Sequence, residues 1–328
     1  MAQFKVVRTD FGAPDSDLEQ AELRASGLDI QLVCLNTRVP DEIIPHVIDA
    51  DGLLVGYAQI RRPVIERLER CRVISRYGIG VDMVDLQAAT ERGVLVCNVP
   101  DFCIDEVSTH TIAFLLCLNR HIHIHDRHVR SRQWAPFPGG PPARLSGQVL
   151  GIIGLGNIGQ ATARKAQGVG LGVIAYDPYL LPEKARELGA ELTSLEDLLR
   201  RSDYVSLHCP LTEETRHLIG EAQLELMKPS AFLINMARGP VVDQPALYQA
   251  LVKGTIAGAA LDVFEQEPPQ SDDPLFQLEN VIFTPHSSSW SAESERQVRR
   301  DATRNVITVL QGKMPAYVVN RKALQLSD

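Results

Sequence analysis

The run Gly154-Leu155-Gly156-Asn157-Ile158-Gly159 constrains this chain more than any other stretch of it. The apolar segment Val149-Leu150-Gly151-Ile152-Ile153 precedes it, and a helix-like stretch over 160–169 follows. Strand, glycine turn and helix in that order separate a dinucleotide loop from a chance match. The first glycine permits the tight turn, the second lets backbone approach a pyrophosphate, and the third lets helix and strand pack closely. The helix N-terminus then offers N–H groups and the positive end of its dipole to the phosphates. Gly154, Gly156, Asn157, Ile158 and Gly159 are therefore candidate cofactor-binding residues. A loop that starts in mid-chain leaves about 150 residues before it, enough for another folded unit. A nucleotide-binding unit inserted into a second domain is expected.

A second apolar segment, Gly172-Val173-Ile174-Ala175-Tyr176, ends at Asp177. That is close to the offset of roughly 20 residues expected of a ribose-reading carboxylate. Such a carboxylate accepts bonds from the ribose hydroxyls and repels a 2′-phosphate. Pro178 and Tyr179 follow it, with no arginine to receive that phosphate. NAD is favoured over NADP.

Apolar strands alternate with amphipathic stretches along most of the chain, which implies parallel sheets flanked by helices. The first series has strands expected at 4–8, 29–34, 52–55, 73–75 and 94–98, with helices at 18–25, 63–70 and 83–92. The second has strands at 149–153, 172–176, 204–207, 231–235, 258–261 and 281–284. Between them, 106–128 reads as one long helix, followed by the Pro/Gly-rich stretch 134–142. A final helix over 291–310 leads into a segment that would return to the first domain. The fold class expected is α/β, with two doubly wound parallel-sheet domains: residues 1–103 and 293–328 as one, 104–292 as the nucleotide-binding Rossmann domain inserted into it.

The 328 residues suit two domains. No apolar run approaches the roughly 18 residues a membrane span needs. The start, Met1-Ala2-Gln3-Phe4-Lys5, lacks a signal pattern, so export is not expected. A net charge of −8 without long Lys/Arg runs argues against nucleic acid as a partner. A small anionic substrate would then need a local cation. Six cysteines without a CxxC pair fit reduced thiols in a cytoplasmic protein.

Three pieces follow the glycine loop, each directly after an apolar strand: Asn235-Met236-Ala237-Arg238-Gly239, Asp262-Val263-Phe264-Glu265-Gln266-Glu267-Pro268 and Thr284-Pro285-His286-Ser287. Ligands of open parallel sheets bind beyond the carboxyl ends of the strands, so all three fall on the cofactor side. Moving a hydride to or from a carbinol carbon requires a group that takes or gives the hydroxyl proton, and His286 suits that task. Glu267 would stabilise the imidazolium, and Arg238 would clamp a substrate carboxylate with its fork of donors.

With these motifs in hand, the chain resembles the D-isomer-specific 2-hydroxyacid dehydrogenases over nearly its whole length. The likeness rests on Gly154 to Gly159 with Asp177, the Asn235–Gly239 piece, Gly258-Ala259-Ala260-Leu261-Asp262-Val263-Phe264 and Thr284-Pro285-His286. The resemblance implies a flavodoxin-like substrate domain and an inserted NAD domain. It implies that Arg238, Glu267 and His286 are catalytic, Glu267 rather than Glu265 because it alone precedes Pro268. It implies that Cys209, Met236, Ala237, Arg238, Asp262, His286 and Ser289 line the cofactor. Arg76-Tyr77-Gly78-Ile79-Gly80-Val81-Asp82 matches the family's substrate loop, so the backbone of Tyr77, Gly78 and Ile79 would hold the substrate carboxylate beside Arg238 and His286. The cleft between the domains would close over that substrate. A homodimer is implied too, through the long helix and the arm carrying Trp134 and Phe137. Cys97-Asn98-Val99-Pro100, Tyr176-Asp177-Pro178-Tyr179-Leu180 and Leu207-His208-Cys209 look closest to the C-terminal-binding-protein branch.

The expected activity is NAD-dependent interconversion of a small 2-oxo acid and its D-2-hydroxy acid. The alternative is an NAD-sensing, corepressor-like binding protein with weak or no turnover. Phosphoglycerate dehydrogenases of the family carry an arginine where Gly56 and Tyr57 stand here, which disfavours 3-phosphoglycerate. Ser287-Ser288-Ser289-Trp290 leaves one aromatic ring to wall the pocket. His121, His125 and His128 would share one face of the expected long helix at a spacing zinc could use. The family chemistry needs no metal, so a polar helix face is the reading and no metal is expected.

Overall fold

Among the described residues, short runs of β-branched and aliphatic residues form twelve strands. Several are buried along their whole length, as strands covered on both faces must be. The structure, a computed structural model, describes residues 3–11, 15–134 and 141–325. It divides into two units, Met1–Phe102 with Ser291–Asp328, and Cys103–Trp290.

The first unit contains β1 (Phe4–Arg8), β2 (Ile30–Cys34), β3 (Gly52–Val55), β4 (Val73–Arg76) and β5 (Leu95–Cys97). All pairings are parallel, in the order β2-β1-β3-β4-β5. That is the flavodoxin-like order. The helix Ala292–Leu310, capped by Ser291, covers this sheet with Val298, Ala302 and Val306. Beyond it, Val319 N–H donates to Val96 O at 2.7 Å, so the chain's last described stretch runs beside β5.

The second unit contains β6 (Val149–Ile153), β7 (Gly172–Tyr176), β8 (Glu191–Leu192), β9 (Tyr204–Leu207), β10 (Phe232–Asn235), β11 (Gly258–Leu261) and β12 (Val281–Phe283). Their order is β12-β11-β10-β9-β6-β7-β8, again parallel throughout. The winding reverses between β6 and β9, which opens a crevice at their carboxyl ends. Both units are doubly wound α/β, the fold class expected. Among the described residues, no helix is long and apolar enough to cross a membrane.

Three helices differ from expectation, each for a local reason. The helix expected over 106–128 is two, Ile104–Asn119 and Ile122–Arg130, because His121 takes a left-handed φ of 53° between them. The one expected over 63–70 is confined to Arg62–Ile65; Glu69 N–H donates instead to Ile48 O at 2.9 Å. Residues 83–85 stay out of the helix because Ile60 exchanges backbone bonds with Met83 and Asp85, so helix begins at Leu86 under the Asp85 cap.

A buried ionic cluster ties the first unit's two longest helices together. Arg299 Nη2 donates to Glu19 Oε2 at 2.7 Å and to Asp15 Oδ1 at 2.8 Å, and the Tyr77 hydroxyl donates to Glu19 at 3.1 Å. Arg299→Met would leave Glu19 with the Tyr77 hydroxyl and, as its one remaining ion pair among the described residues, Arg8 at 3.7 Å. Stripping a buried carboxylate of its main partner costs about 3 kcal/mol. Amide exchange in the helix Asp17–Ala25 should therefore quicken on the order of a hundredfold. Unchanged protection there would show that apolar contacts alone hold the helix.

Candidate active site

The three glycines of the loop after β6 answer to three different constraints. Gly154 has φ 91°, and a Cβ on it would stand 2.7 Å from the Cys209 nitrogen. At Gly159 a Cβ would fall 2.2 Å from Gly154 O, so helix and turn touch only because Gly159 lacks one. Gly156 is the opposite case, with nothing within 4 Å of an added Cβ. The open side of the loop lies there, where Gly156 caps the helix Asn157–Gly168 that Asn157, Ile158 and Gly159 begin. An open backbone cradle at a helix N-terminus fits a pyrophosphate.

Asp177, one residue past β7, is held from both sides. Leu155 N–H donates to its Oδ2 and Tyr179 N–H to its Oδ1, each at 2.9 Å. The carboxylate is thereby fixed beside the glycine loop, as a ribose reader must be. Cys209 follows β9 across the crevice. Burial pushes its thiol up to about 11, so it stays neutral next to the loop. Burial likewise pulls the neighbouring His208 down to about 3.

The chemical groups converge at the ends of β10, β11 and β12. His286 Nδ1 donates to Glu267 Oε2 at 2.7 Å, and Glu267 Oε1 accepts from Phe264 N–H at 3.0 Å. Glu265 pairs elsewhere, with His217 Nε2 at 2.7 Å. Gly239 joins the Arg238 turn to this loop: a Cβ there would fall 1.8 Å from Phe264 O. Met236 and Ala237 are buried in that turn. Asn235, not singled out from sequence, shapes it by accepting from Ala237 N–H and donating to Arg238 O, both at 3.0 Å.

Asp262 organises the turn that carries His286. Its Oδ1 accepts from Thr284 Oγ1 at 2.5 Å and from Ser287 N–H at 2.9 Å, its Oδ2 from Ser288 N–H at 3.2 Å, and its carbonyl from His286 N–H at 2.8 Å. Ser289 closes the same turn, half-buried. Behind it, His110 Nε2 lies 3.3 Å from Thr284 Oγ1. Burial holds that imidazole below its ordinary range, with Asp262 opposing. His110 escaped the sequence reading because it sits in a helix whose periodicity reports packing alone.

In the first unit, Tyr77 N–H donates to Val55 O and Gly78 N–H to Arg76 O, each at 2.9 Å. Ile79 supplies the one N–H of these three residues with no bond of its own in the described structure. The loop at Gly56 and Tyr57 carries no cation, yet the fold brings two to it. The Arg38 guanidinium lies 4.7 Å and the Arg76 guanidinium 5.4 Å from the Tyr57 ring centre.

His121, His125 and His128 do not share one helix, since His121 precedes the second. His123 Nδ1 lies 3.9 Å from Cys117 Sγ. Among the described residues, no group of three or more His, Cys, Asp or Glu could hold a metal.

Sheet order, glycine loop and fixed Asp177 together define a dinucleotide-binding α/β protein. The profile described as "D-isomer specific 2-hydroxyacid dehydrogenase, NAD binding domain" matches residues 112–288. A glyoxylate reductase of Korarchaeum cryptofilum is 42% identical over 289 residues, 87% of each chain. A D-3-phosphoglycerate dehydrogenase of Methanocaldococcus jannaschii is 41% identical over 85% of this chain and 53% of its own, longer one. The crystal structure of the Aquifex aeolicus D-lactate dehydrogenase, complexed with NAD and lactic acid, superposes with a TM-score of 0.86 at 29% identity, covering 96% of this chain and 98% of that one. The chain belongs to the D-isomer-specific 2-hydroxyacid dehydrogenase family. It is an NAD-linked oxidoreductase acting between 2-hydroxy and 2-oxo acids.

The neutral Cys209 gives one check on the site. At neutral pH, alkylation followed by peptide mapping should label exposed Cys34 well before Cys209. Early labelling of Cys209 would mean that its thiol is not withheld from solvent as described.

Proposed function

We propose that the chain reduces a small 2-oxo acid to its D-2-hydroxy acid, with His286, Glu267 and Arg238 as the catalytic residues. The observation that carries this is the 2.7 Å bond from His286 Nδ1 to Glu267. A carboxylate fixed at one ring nitrogen stabilises imidazolium and orients the other nitrogen, Nε2, toward the reacting oxygen. Bound NADH supplies the hydride to C2. His286 gives the proton from Nε2 to the carbonyl oxygen and takes it back in the reverse direction. Arg238 binds the substrate carboxylate and draws charge from the adjacent carbonyl.

The cofactor contacts proposed are Gly154, Gly156, Asn157, Ile158, Gly159, Asp177, Cys209, Met236, Ala237, Arg238, Asp262, His286 and Ser289. Within the first unit, the substrate domain of this reading, Tyr77, Gly78 and Ile79 form the carboxylate loop, and Ile79 N–H is the donor best placed to serve. The glyoxylate reductases among the relatives make glyoxylate the first substrate to try. The protein is proposed to work in the cytoplasm as a homodimer. In support, no residue of Ile122–Arg130 is buried, and Trp134 just beyond it is 91% exposed. Phe137, the other aromatic expected at that contact, lies outside the described residues.

His286→Ala should lower turnover of a 2-oxo acid by about 10²–10⁴-fold while leaving NADH affinity nearly unchanged. Equal rates for variant and wild type would remove His286 from the chemistry. Because the protonated ring is the acid, reduction should slow as pH rises, while oxidation should speed up. A reduction rate that stays flat across neutral pH, with chemistry limiting, contradicts the role. Light scattering should return twice the mass of one chain, and a monomer would refute the dimer.

A further inference from the structure

Two loops border Asp177 in the second unit, the one after β7 (residues 177–181) and the one after β9 (residues 208–215). One side chain joins them. The Tyr179 hydroxyl donates to Glu214 Oε2 at 3.1 Å, across 35 positions of sequence. At its other end, Tyr179 N–H donates to Asp177 Oδ1 at 2.9 Å. Yet Tyr179 is 84% exposed, so the residue adds nothing to the core. A large aromatic side chain held at both ends but left in solvent calls for a role other than packing.

The charged groups that act on its hydroxyl are both carboxylates, Glu214 and Asp177. Glu214, chiefly through the hydrogen bond, holds the Tyr179 hydroxyl above its ordinary range, and Asp177 adds to the effect. The cations next along the chain are engaged with other carboxylates: Lys184 with Glu187 at 2.8 Å and Arg186 with Glu183 at 3.0 Å. Through Tyr179, Asp177, held by backbone donors, is thus linked to a second carboxylate, Glu214, held by a phenol.

We propose that Tyr179 and Glu214 form a clasp that keeps a second carboxylate beside Asp177 and so makes the site reject the 2′-phosphate of NADP. Asp177 competes for the 2′-hydroxyl itself, whereas Glu214 acts through charge alone on the phosphate that would replace it. The inference rests on residues 154–159 and Asp177 being the dinucleotide site. It assigns selectivity to residues outside the glycine loop and its acidic partner. In a solvent-exposed site, a 2′-phosphate facing one more carboxylate loses affinity on the order of tenfold, and salt screens the loss.

The test measures equilibrium binding of NADH and of NADPH by the fluorescence of the bound nucleotide, with no turnover required. The proteins compared are wild type, Glu214→Gln, Tyr179→Phe and Glu213→Gln, at low and at high salt. Glu214→Gln should tighten NADPH about tenfold at low salt and leave NADH within about twofold. Tyr179→Phe, which frees the carboxylate without removing it, should shift the ratio the same way by less. Glu213→Gln removes the same charge one residue away and should shift it least. Every gain should shrink at high salt. A wild-type NADH to NADPH ratio in both Glu214→Gln and Tyr179→Phe overturns the clasp, and so does a Glu213→Gln effect equal to that of Glu214→Gln. Wild type binding neither nucleotide would overturn the dinucleotide site itself, and the clasp with it.

Discussion

Asp262 commits both carboxylate oxygens and its main-chain carbonyl to the turn after β12. Without that commitment the reacting edge of the second unit has no fixed geometry. His286 sits at a left-handed φ of 51°, a conformation an L side chain adopts only where its surroundings over-determine it. The surroundings here are Ser287 and Ser288 N–H on the Asp262 carboxylate, and His286 N–H on the Asp262 and Thr284 carbonyls. Strain is thus held at the residue proposed to move the proton, and its imidazole is delivered to Glu267 rather than left to sample rotamers. A turn strained in this way is a positioning device. Its residues need not touch substrate to govern where the imidazole stands.

Glycine does for the loops what Asp262 does for the turn. A side chain at Gly239 would overlap Phe264 O, and one at Gly154 would strike the Cys209 backbone. Each absent Cβ lets two strand-end loops touch backbone to backbone. The first contact brings the Arg238 turn against the loop bearing Glu267. The second brings the phosphate loop against the loop bearing His208, Cys209 and, further on, Glu214. Residues from Gly154 to Glu267 therefore meet along one edge without long side chains to bridge them.

Much of this was legible in the sequence because it is written locally. The glycine spacing, the acidic residue after the next strand and the arginine, glutamate and histidine after three later strands each sit within a few residues of an apolar run. Parallel sheets place such strand ends on one edge, so order along the chain converts into proximity. What could not be read depended on distant partners or on single backbone angles. Glu19, Tyr77 and Arg299 meet although no local pattern links them. The helix Pro40–Val47 is hidden by the prolines it contains. The periodicity of 106–128 is real on both sides of His121, and only that residue's φ divides it. Likewise Glu265 and Glu267, equal by composition and two residues apart, face different histidines because the loop turns between them.

The electrostatics of the site follow from the same economy. The chain carries a net charge of −8 and must hold an anionic dinucleotide and an anionic acid. Long-range attraction cannot do this, so the positive potential has to be local and unopposed. At the phosphate loop it comes from N–H groups at a helix N-terminus, a source that brings no side-chain ion needing a partner. The titratable groups beside that loop are kept out of the balance: burial holds Cys209 as a thiol and His208 as a neutral imidazole. A thiolate there would have repelled the pyrophosphate the loop is shaped to receive. Negative charge is admitted at Asp177, the proposed ribose reader, where it would select instead of opposing. Neutrality at the phosphate loop and charge at Asp177 are thus two halves of one arrangement.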